Sequence, residues 1–356
     1  MGSRFMRKLK VGYWPLSQSM NSAGDRRRLF FWATARGHTI VTDLNQRVDV
    51  VIASENSDFN SSFFSKTRTP IIFDLVDAYL SPLNTYDDYA RGLAKKASRQ
   101  ISGGIKPFSR HISDFCEQAS AVICSSIEQE EIIKKYNPNI HVILDSHDEI
   151  PFIDAKIPKT SISSGHRILW EGQPATIRGV GKISSVLSRL LQSNSLEIDF
   201  VTDEKYFKFL NKYAKKDTFD LLKKDLSEIA STINIVPWTP ENLLARAKDC
   251  TIAMIPIDLT VPMQRLKPEN RLLIMWRLGL PCLTSSSPAY TRVAEKAGVT
   301  VVCEDLDTWV ENFQHLLDDS IFAQEEAVRG QSYLLENHTR AILLKKWDKV
   351  IESVIG

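Results

Sequence analysis

The chain has 356 residues, 43% hydrophobic and 25% charged. This suits about two domains at ~150 residues each and excludes disorder, coiled coil and collagen as descriptions of the whole chain. Lys and Arg number 45 against 43 Asp and Glu, a net charge of +2, so no polyanion partner is implied; nucleic-acid binders rely on clustered positive charge. The Arg26-Arg27-Arg28 run leaves room for a small anion. Apolar runs such as Ile233–Pro237 and Thr251–Ile257 fall well short of the ~20 residues of a membrane span. The basic start, Met1–Lys10, has no apolar stretch of a secretory signal. Cysteines at 116, 124, 250, 282 and 303 lack metal-ligand spacing; four sit inside or beside apolar stretches and read as buried free thiols, which suits a reducing cytoplasm.

In chain order, Lys8–Tyr13 reads as a strand closed by a polar loop, Trp14–Ala23. Asp25–Arg36 has helical spacing, with Leu29, Trp32 and Ala33 on one face. His38–Asp43, Val48–Ser54, Pro70–Asp74, Ala121–Ser125 and His141–Leu144 read as further strands, and Glu128–Lys135 as a helix. Residues 83–118 break this rhythm; they predict a helical excursion over a cleft, then a helix near Arg110–Ala119. From Asp148 to His166 the apolar period lapses, which predicts an interdomain linker over 151–166 after a first domain, 1–150.

The second half restarts the rhythm. Arg167–Trp170 reads as a strand, Glu171–Gly181 as a loop, Lys182–Gln192 as an amphipathic helix and Leu196–Val201 as a strand. Tyr206–Tyr213 and Phe219–Ala230 read as helices. Strands follow at Asn234–Pro237, Thr251–Pro256, Pro281–Thr284 and Val299–Val302, with helices at Pro240–Lys248, Pro268–Leu278 and Ser287–Ala297 between them. The tail, Leu306–Val354, is helical. A second domain thus spans 167–335, followed by a closing helix, 336–356. Strands alternating with helices predict an α/β chain of two Rossmann-like parallel-sheet domains facing across a cleft. Ligands of such sheets bind beyond the carboxyl ends of the strands, where helix N-termini favour phosphate.

The stretch from Pro256 to Tyr290 carries the most chemistry. A strand ends at Pro256, a polar loop holds Met263, Arg265 and Lys267, and a helix beginning near Pro268 holds Asn270 and Arg271. Cationic side chains, free N–H groups and a positive dipole end converge there, a combination that suits a diphosphate. The polar loop, K-x-x-N-K/R, apolar helix, G-L-P-x-L/I-T-S and P-A-Y resemble the donor domain of GT-B glycosyltransferases, most of all the group-1 (GT4-like) set. Ile168–Gly172 (ILWEG) is similar to that family's hhWhG strand, and Ile235–Pro256 (IVPWTPENLLARAKDCTIAMIP) to its W…L…D-h-x-h-x-P stretch. Asn337–Trp347 fits its closing helices, and the resemblance implies that 336–356 crosses back toward the first domain.

The resemblance implies a hexosyltransferase that moves a sugar from a nucleotide-sugar to an acceptor hydroxyl. Trp238 and Thr239 would lie near the base. Lys267, Asn270 and Arg271 would meet diphosphate or ribose, with Arg178 as a further phosphate contact. Gly172 would allow close backbone approach, and Met263 would face the sugar. The family's E-x7-E motif is missing, since no Glu occurs between Leu259 and Pro268, so the resemblance leaves sugar contacts and stereochemical outcome open. The first domain would hold the acceptor, a glycan, lipid-linked or small-molecule hydroxyl, and peripheral contact with a cytoplasmic membrane face is compatible with it.

In that first domain the loop Ser17, Gln18, Ser19, Met20, Asn21, Ser22 stands where the family has Gly-Gly. Its hydroxyls can bond sugar or phosphate, or simply turn the chain, and Arg26 can approach the diphosphate. Asp74 and Asp77 follow a strand, where a carboxylate can serve as general base; Asp77 is the preferred candidate, and an N-cap role is the plainer alternative. His147 sits at the expected hinge. Asp305-Leu306-Asp307 matches a metal-binding D-x-D string, but its place before an apolar-periodic helix reads as capping, so metal-independent transfer is expected and no cofactor is implied. Trp276, Trp309 and Trp347 read as core. A non-catalytic nucleotide or sugar binder on the same frame is the alternative. A nicotinamide oxidoreductase would require a G-x-G-x-x-G string that the first strand lacks.

Overall fold

β1 (Lys10–Trp14) carries Val11 and Tyr13 into the interior, and from it a computed structural model of the protein traces two α/β units. It describes residues 7–81, 85–155, 165–193, 196–209 and 213–356, with only the backbone given for 193, 207–209 and 213–215. The units are Met1–Ser146 with Arg340–Gly356, and His147–Thr339. The first six residues and 156–164, most of the expected linker, lie outside the described residues.

In the first unit α1 (Ala23–Asp25), a π-helical turn (Arg26–Phe30) and α2 (Phe31–Arg36) form one helical stretch, which Gly37 ends at φ 69°. There follow β2 (Thr39–Val41), β3 (Val50–Ser54), α3 (Ser62–Lys66), β4 (Ile71–Leu75), α4 (Thr85–Ala97), α5 (Phe108–Gln118), β5 (Ala121–Cys124), α6 (Ile127–Ile133) and β6 (Ile140–Val142). The sheet runs β2-β1-β3-β4-β5-β6, every pair parallel. Both faces are covered: Val50 and Ile52 enter one apolar cluster, Val51 and Ala53 the other. This is why these strands read as continuous apolar runs rather than alternating ones.

The second unit contains β7 (His166–Glu171), α7 (Ile177–Lys182), α8 (Ser184–Ser193), β8 (Leu196–Thr202), β9 (Lys205–Phe209), β10 (Tyr213–Asp217), α9 (Thr218–Asp225), β11 (Ile233–Pro237), α10 (Pro240–Asp249) and β12 (Ile252–Ile255). It continues with α11 (Pro262–Arg265), α12 (Asn270–Arg277), β13 (Cys282–Ser285), α13 (Pro288–Ala297), β14 (Val302–Cys303), α14 (Leu306–Asp318) and α15 (Ser320–Asn337). Its main sheet is also parallel, ordered β11-β8-β7-β12-β13-β14. α16 (Arg340–Ile355) belongs to the first unit, where Trp347 stacks on Trp32 at 5.8 Å and Asp348 accepts the Trp32 indole N–H at 2.9 Å. Residues 150–155 are tied to the second unit: Ile153 N–H donates to Arg277 O at 2.9 Å, and Gln331 Oε1 accepts the Ala155 N–H at 3.0 Å.

Four expectations are corrected. Glu171–Gly181 is not all loop, because α7 starts at Ile177. A Cβ on Gly179 would lie 2.2 Å from Pro256 O, so this glycine serves close packing of a helix, not a flexible turn. The described part of Tyr206–Tyr213 is no helix: β9 and β10 pair antiparallel, Lys205 opposite Asp217, and aromatic-rich segments favour the pleated state over the helix their spacing suggests. Helix α9 stops at Asp225 rather than Ala230. The polar loop after β12 contains the short helix α11.

Candidate functional site

In each six-stranded sheet all strands point the same way, so their carboxyl ends share one edge. On the second sheet that edge holds Glu171 at the end of β7, Trp238 after β11, Pro256–Asp258 after β12 and Ser285 at the end of β13. Glu171 organises it. Its Oε1 accepts the Trp238 indole N–H at 2.9 Å, its Oε2 lies 3.5 Å from Arg271 Nε, and its backbone carbonyl accepts an N–H from Arg271 Nη2. The Arg271 guanidinium lies 5.4 Å from the centre of the Trp170 ring, a cation–π contact. A strand-ending carboxylate, 8% exposed, thus fixes an indole and a guanidinium side by side. The sequence reading missed Glu171; the available signal was a lone acid closing an otherwise apolar strand.

The other expected donor residues fall as follows. A Cβ on Gly172 would meet Thr176 Oγ1 at 2.8 Å and Arg271 Nη2 at 3.1 Å, so only glycine lets these two side chains approach the backbone here. Thr239 caps α10, its Oγ1 accepting the Asn242 N–H at 3.0 Å. Arg178, on α7 and largely exposed, has Nη2 3.4 Å from Asp258 Oδ2, and Lys182 Nζ lies 3.7 Å from Oδ1 of the same carboxylate. Met263 lies on α11, and Lys267 and Asn270, both half-buried, lead from it into α12. The structure joins Trp238 to Arg271 through Glu171.

On the first sheet the loop after β1 is organised by Asp25, another residue the sequence reading passed over. Its carboxylate accepts Tyr13 Oη at 2.6 Å, the Leu16 N–H at 2.9 Å, and the Ser17 and Ser22 hydroxyls at 2.6 Å each. Burial raises the Asp25 pKa, but the bonds from Ser17, Ser22 and Tyr13 outweigh it and hold the carboxyl below its ordinary value. Ser17 therefore braces the loop. Ser19 and Asn21 are exposed, Ser19 Oγ lies 3.4 Å from Ser17 Oγ, and Arg26 donates to the Asn21 carbonyl.

Asp74, expected to face an acceptor, is instead in the core. It is 4% exposed and accepts Arg28 Nε at 2.9 Å, while Arg28 Nη1 reaches Ile143 O at 2.8 Å and Asp145 Oδ1 at 3.1 Å. A fully buried guanidinium needs such partners, and Asp74 supplies one. Asp77, two residues beyond β4, is half-buried, and its backbone N–H donates to Glu55 Oε2 at 3.0 Å. His147 is also buried, its ring 5.1 Å from that of His338 within the second unit. Asp305 caps α14, its Oδ1 accepting the Thr308 N–H at 2.8 Å. Trp276, Trp309 and Trp347 are core residues.

Two parallel six-stranded units with these carboxyl edges define the GT-B glycosyltransferase fold. HepE of Anabaena, solved in complex with UDP, matches with a TM-score of 0.65 at 10% identity, over 97% of this chain and 100% of that one. WaaG, a glycosyltransferase involved in lipopolysaccharide biosynthesis, matches at 0.55 and 13% identity over 98% and 99%. TarM of S. aureus matches at 0.56 and 10% identity over 85% of this chain but only 54% of its own, so this chain spans about half of TarM. Such identities establish a shared fold. No protein-family model and no curated sequence matches the chain. No helix among the described residues is long and apolar enough to cross a membrane.

Proposed function

We propose that the protein is a glycosyltransferase that moves a hexose from a nucleotide-sugar to an acceptor hydroxyl, in glycan or glycoconjugate synthesis and with the group-1 (GT4-like) enzymes as its kin. The observation that carries this reading is the Glu171-anchored pair of Trp238 and Arg271 at the carboxyl edge of the second sheet. An indole fixed beside a guanidinium suits a base next to a phosphate. The base packs against Trp238. The diphosphate meets Arg271, Lys267 and the first N–H groups of α12, with Asn270 on the ribose or phosphate and Arg178 as a further cation. Met263 borders the sugar.

Charge developing on the departing diphosphate is met by these cations and N–H groups, with no resident metal. In the first unit Asp77 takes the proton from the acceptor hydroxyl, and Ser19 and Asn21 contact the acceptor. HepE and TarM both bind UDP in their solved complexes, which supports a nucleoside diphosphate here. A lipid-linked acceptor would bring the enzyme to a cytoplasmic membrane face.

The test is a thermal-shift screen with UDP, GDP, ADP and their sugar conjugates, followed by transfer assays on an acceptor panel. A ligand at 100 times its Kd stabilises by ~2.7 kcal/mol. A nucleotide-sugar that stabilises and is turned over supports the reading; binding without turnover favours a non-catalytic binder, and no binding rejects both.

A further inference from the structure

Glu55 follows β3 and is 7% exposed. One oxygen of its carboxyl group, Oε2, accepts the backbone N–H groups of both Val76 and Asp77, each at 3.0 Å. Gln129, on α6, holds the same loop from another strand end: its Nε2 donates to Val76 O at 3.2 Å while its Oε1 accepts the Ser125 N–H at 3.0 Å. The pairing of β4 ends at Asp74 opposite Ser54 on one side and at Leu75 opposite Cys124 on the other, so both ladders stop short of Val76 and Asp77. Two buried side chains, one from each neighbouring strand end, hold it instead.

The surroundings of Glu55 are unusual for a carboxyl group. Lys95 of α4, 8% exposed, contributes the nearby positive charge; its Nζ donates to Asn56 Oδ1 at 3.0 Å and lies 4.6 Å from the Phe108 ring centre. Tyr79 packs near, with Arg91 5.2 Å from its ring centre. Burial, then the charge of Asp77, pushes the Glu55 carboxyl far above its ordinary range. The role of Oε2 does not depend on ionisation, because the carbonyl oxygen of a neutral acid still offers two lone pairs.

We propose that Glu55 is the positioning residue for Asp77: by fixing the Val76–Asp77 backbone it sets where the Asp77 carboxylate meets an acceptor hydroxyl. This rests on Asp77 being the base. A base placed about 1 Å off costs on the order of a hundredfold in rate, and a side chain two residues beyond a strand end has no ladder to hold it.

The experiment compares Glu55→Gln, Glu55→Ala, Asp77→Asn and the Glu55→Ala/Asp77→Asn double variant by transfer kinetics and by amide hydrogen exchange at Val76 and Asp77. Glu55→Ala should lower kcat by at least about tenfold with donor KM unchanged and speed exchange at both amides. Glu55→Gln, which keeps the accepting oxygen, should restore most of the kcat and the slow exchange. In the Asp77→Asn background the alanine change should cost nothing further, since Glu55 acts through Asp77. Additive losses, a silent Glu55→Ala, or a glutamine variant as poor as the alanine one overturns the proposal. If Asp77→Asn keeps full turnover, the base reading fails, and unchanged exchange in Glu55→Ala separately rejects the hold on the loop. Where the alanine variant does not fold, Glu55→Asp, which withdraws the oxygen by one methylene, is read the same way.

Discussion

Trp238 and Glu171 meet through an indole N–H bond of 2.9 Å to a carboxylate that also pairs with Arg271. They stand 67 positions apart in the chain, on β7 and just beyond β11, and only the order of the parallel sheet brings them to one edge. Removing Glu171 should release both partners at once. Glu171→Ala is expected to weaken nucleotide binding by about 1–3 kcal/mol, the scale of a lost charged hydrogen bond. Trp238→Ala should weaken free nucleotide similarly, and titration calorimetry checks both; unchanged affinity would assign the trio to packing alone.

Lys267→Ala should weaken nucleotide-sugar binding by about 1–3 kcal/mol through loss of a phosphate contact. The effect should shrink with the bare nucleoside, which has no diphosphate. Equal losses for nucleoside and nucleotide would remove Lys267 from the phosphate site.

Asp77→Asn should leave donor affinity intact and lower transfer by about 10²–10⁴, the range of a lost general base. Normal turnover would remove Asp77 from the mechanism. Asp74→Asn should act differently: it disturbs the buried Arg28 pair, so thermal stability falls while any surviving folded enzyme keeps its donor affinity.

Gly330 lies inside α15, where alanine normally stabilises a helix by about 0.5–1 kcal/mol. Here a Cβ would sit 2.4 Å from the Trp276 ring. Gly330→Ala is therefore expected to destabilise by about 1–3 kcal/mol, the cost of overpacking a core. Denaturant unfolding decides, and a gain in stability would contradict the packing described.

His111 is buried on α5 beside Asn60, and burial, helped by Lys106, pushes its pKa down from 6.5 to about 4. The unfolded chain takes up this proton first, so stability should fall as pH drops from 6.5 toward 4 and level off below. A fall from 6.5 to about 4 corresponds to about 3 kcal/mol lost across that window. In His111→Asn that part of the slope should vanish; an unaltered slope would show that other groups set it.

Much of the architecture was legible because buried parallel strands must be apolar on both faces. Val50–Ser54 and Ile252–Ile255 announce themselves as short apolar runs. Pro240 with Thr239 before it marks the start of α10, a proline-led helix with its cap. Where the reading failed, a contact distant in sequence made the decision. Gly179 looks like a loop glycine until the carbonyl of Pro256 is packed against it, and the aromatic spacing of 206–213 fits a helix until β9 and β10 pair.

The site divides in the same way. Sequence by itself determined the class of fold and the polar run, Lys267, Asn270 and Arg271, at the start of α12, because those residues are neighbours and their pattern survives in one dimension. Only tertiary structure decided which polar groups are occupied. It gave Asp74 to Arg28, Ser17 to Asp25 and Thr239 to the cap of α10, and it brought in Glu171, Asp25 and Glu55 as the acids that hold the loops. The reason is physical: a buried carboxylate must find its donors wherever the fold supplies them, and those donors come from strands and loops that the chain order keeps apart.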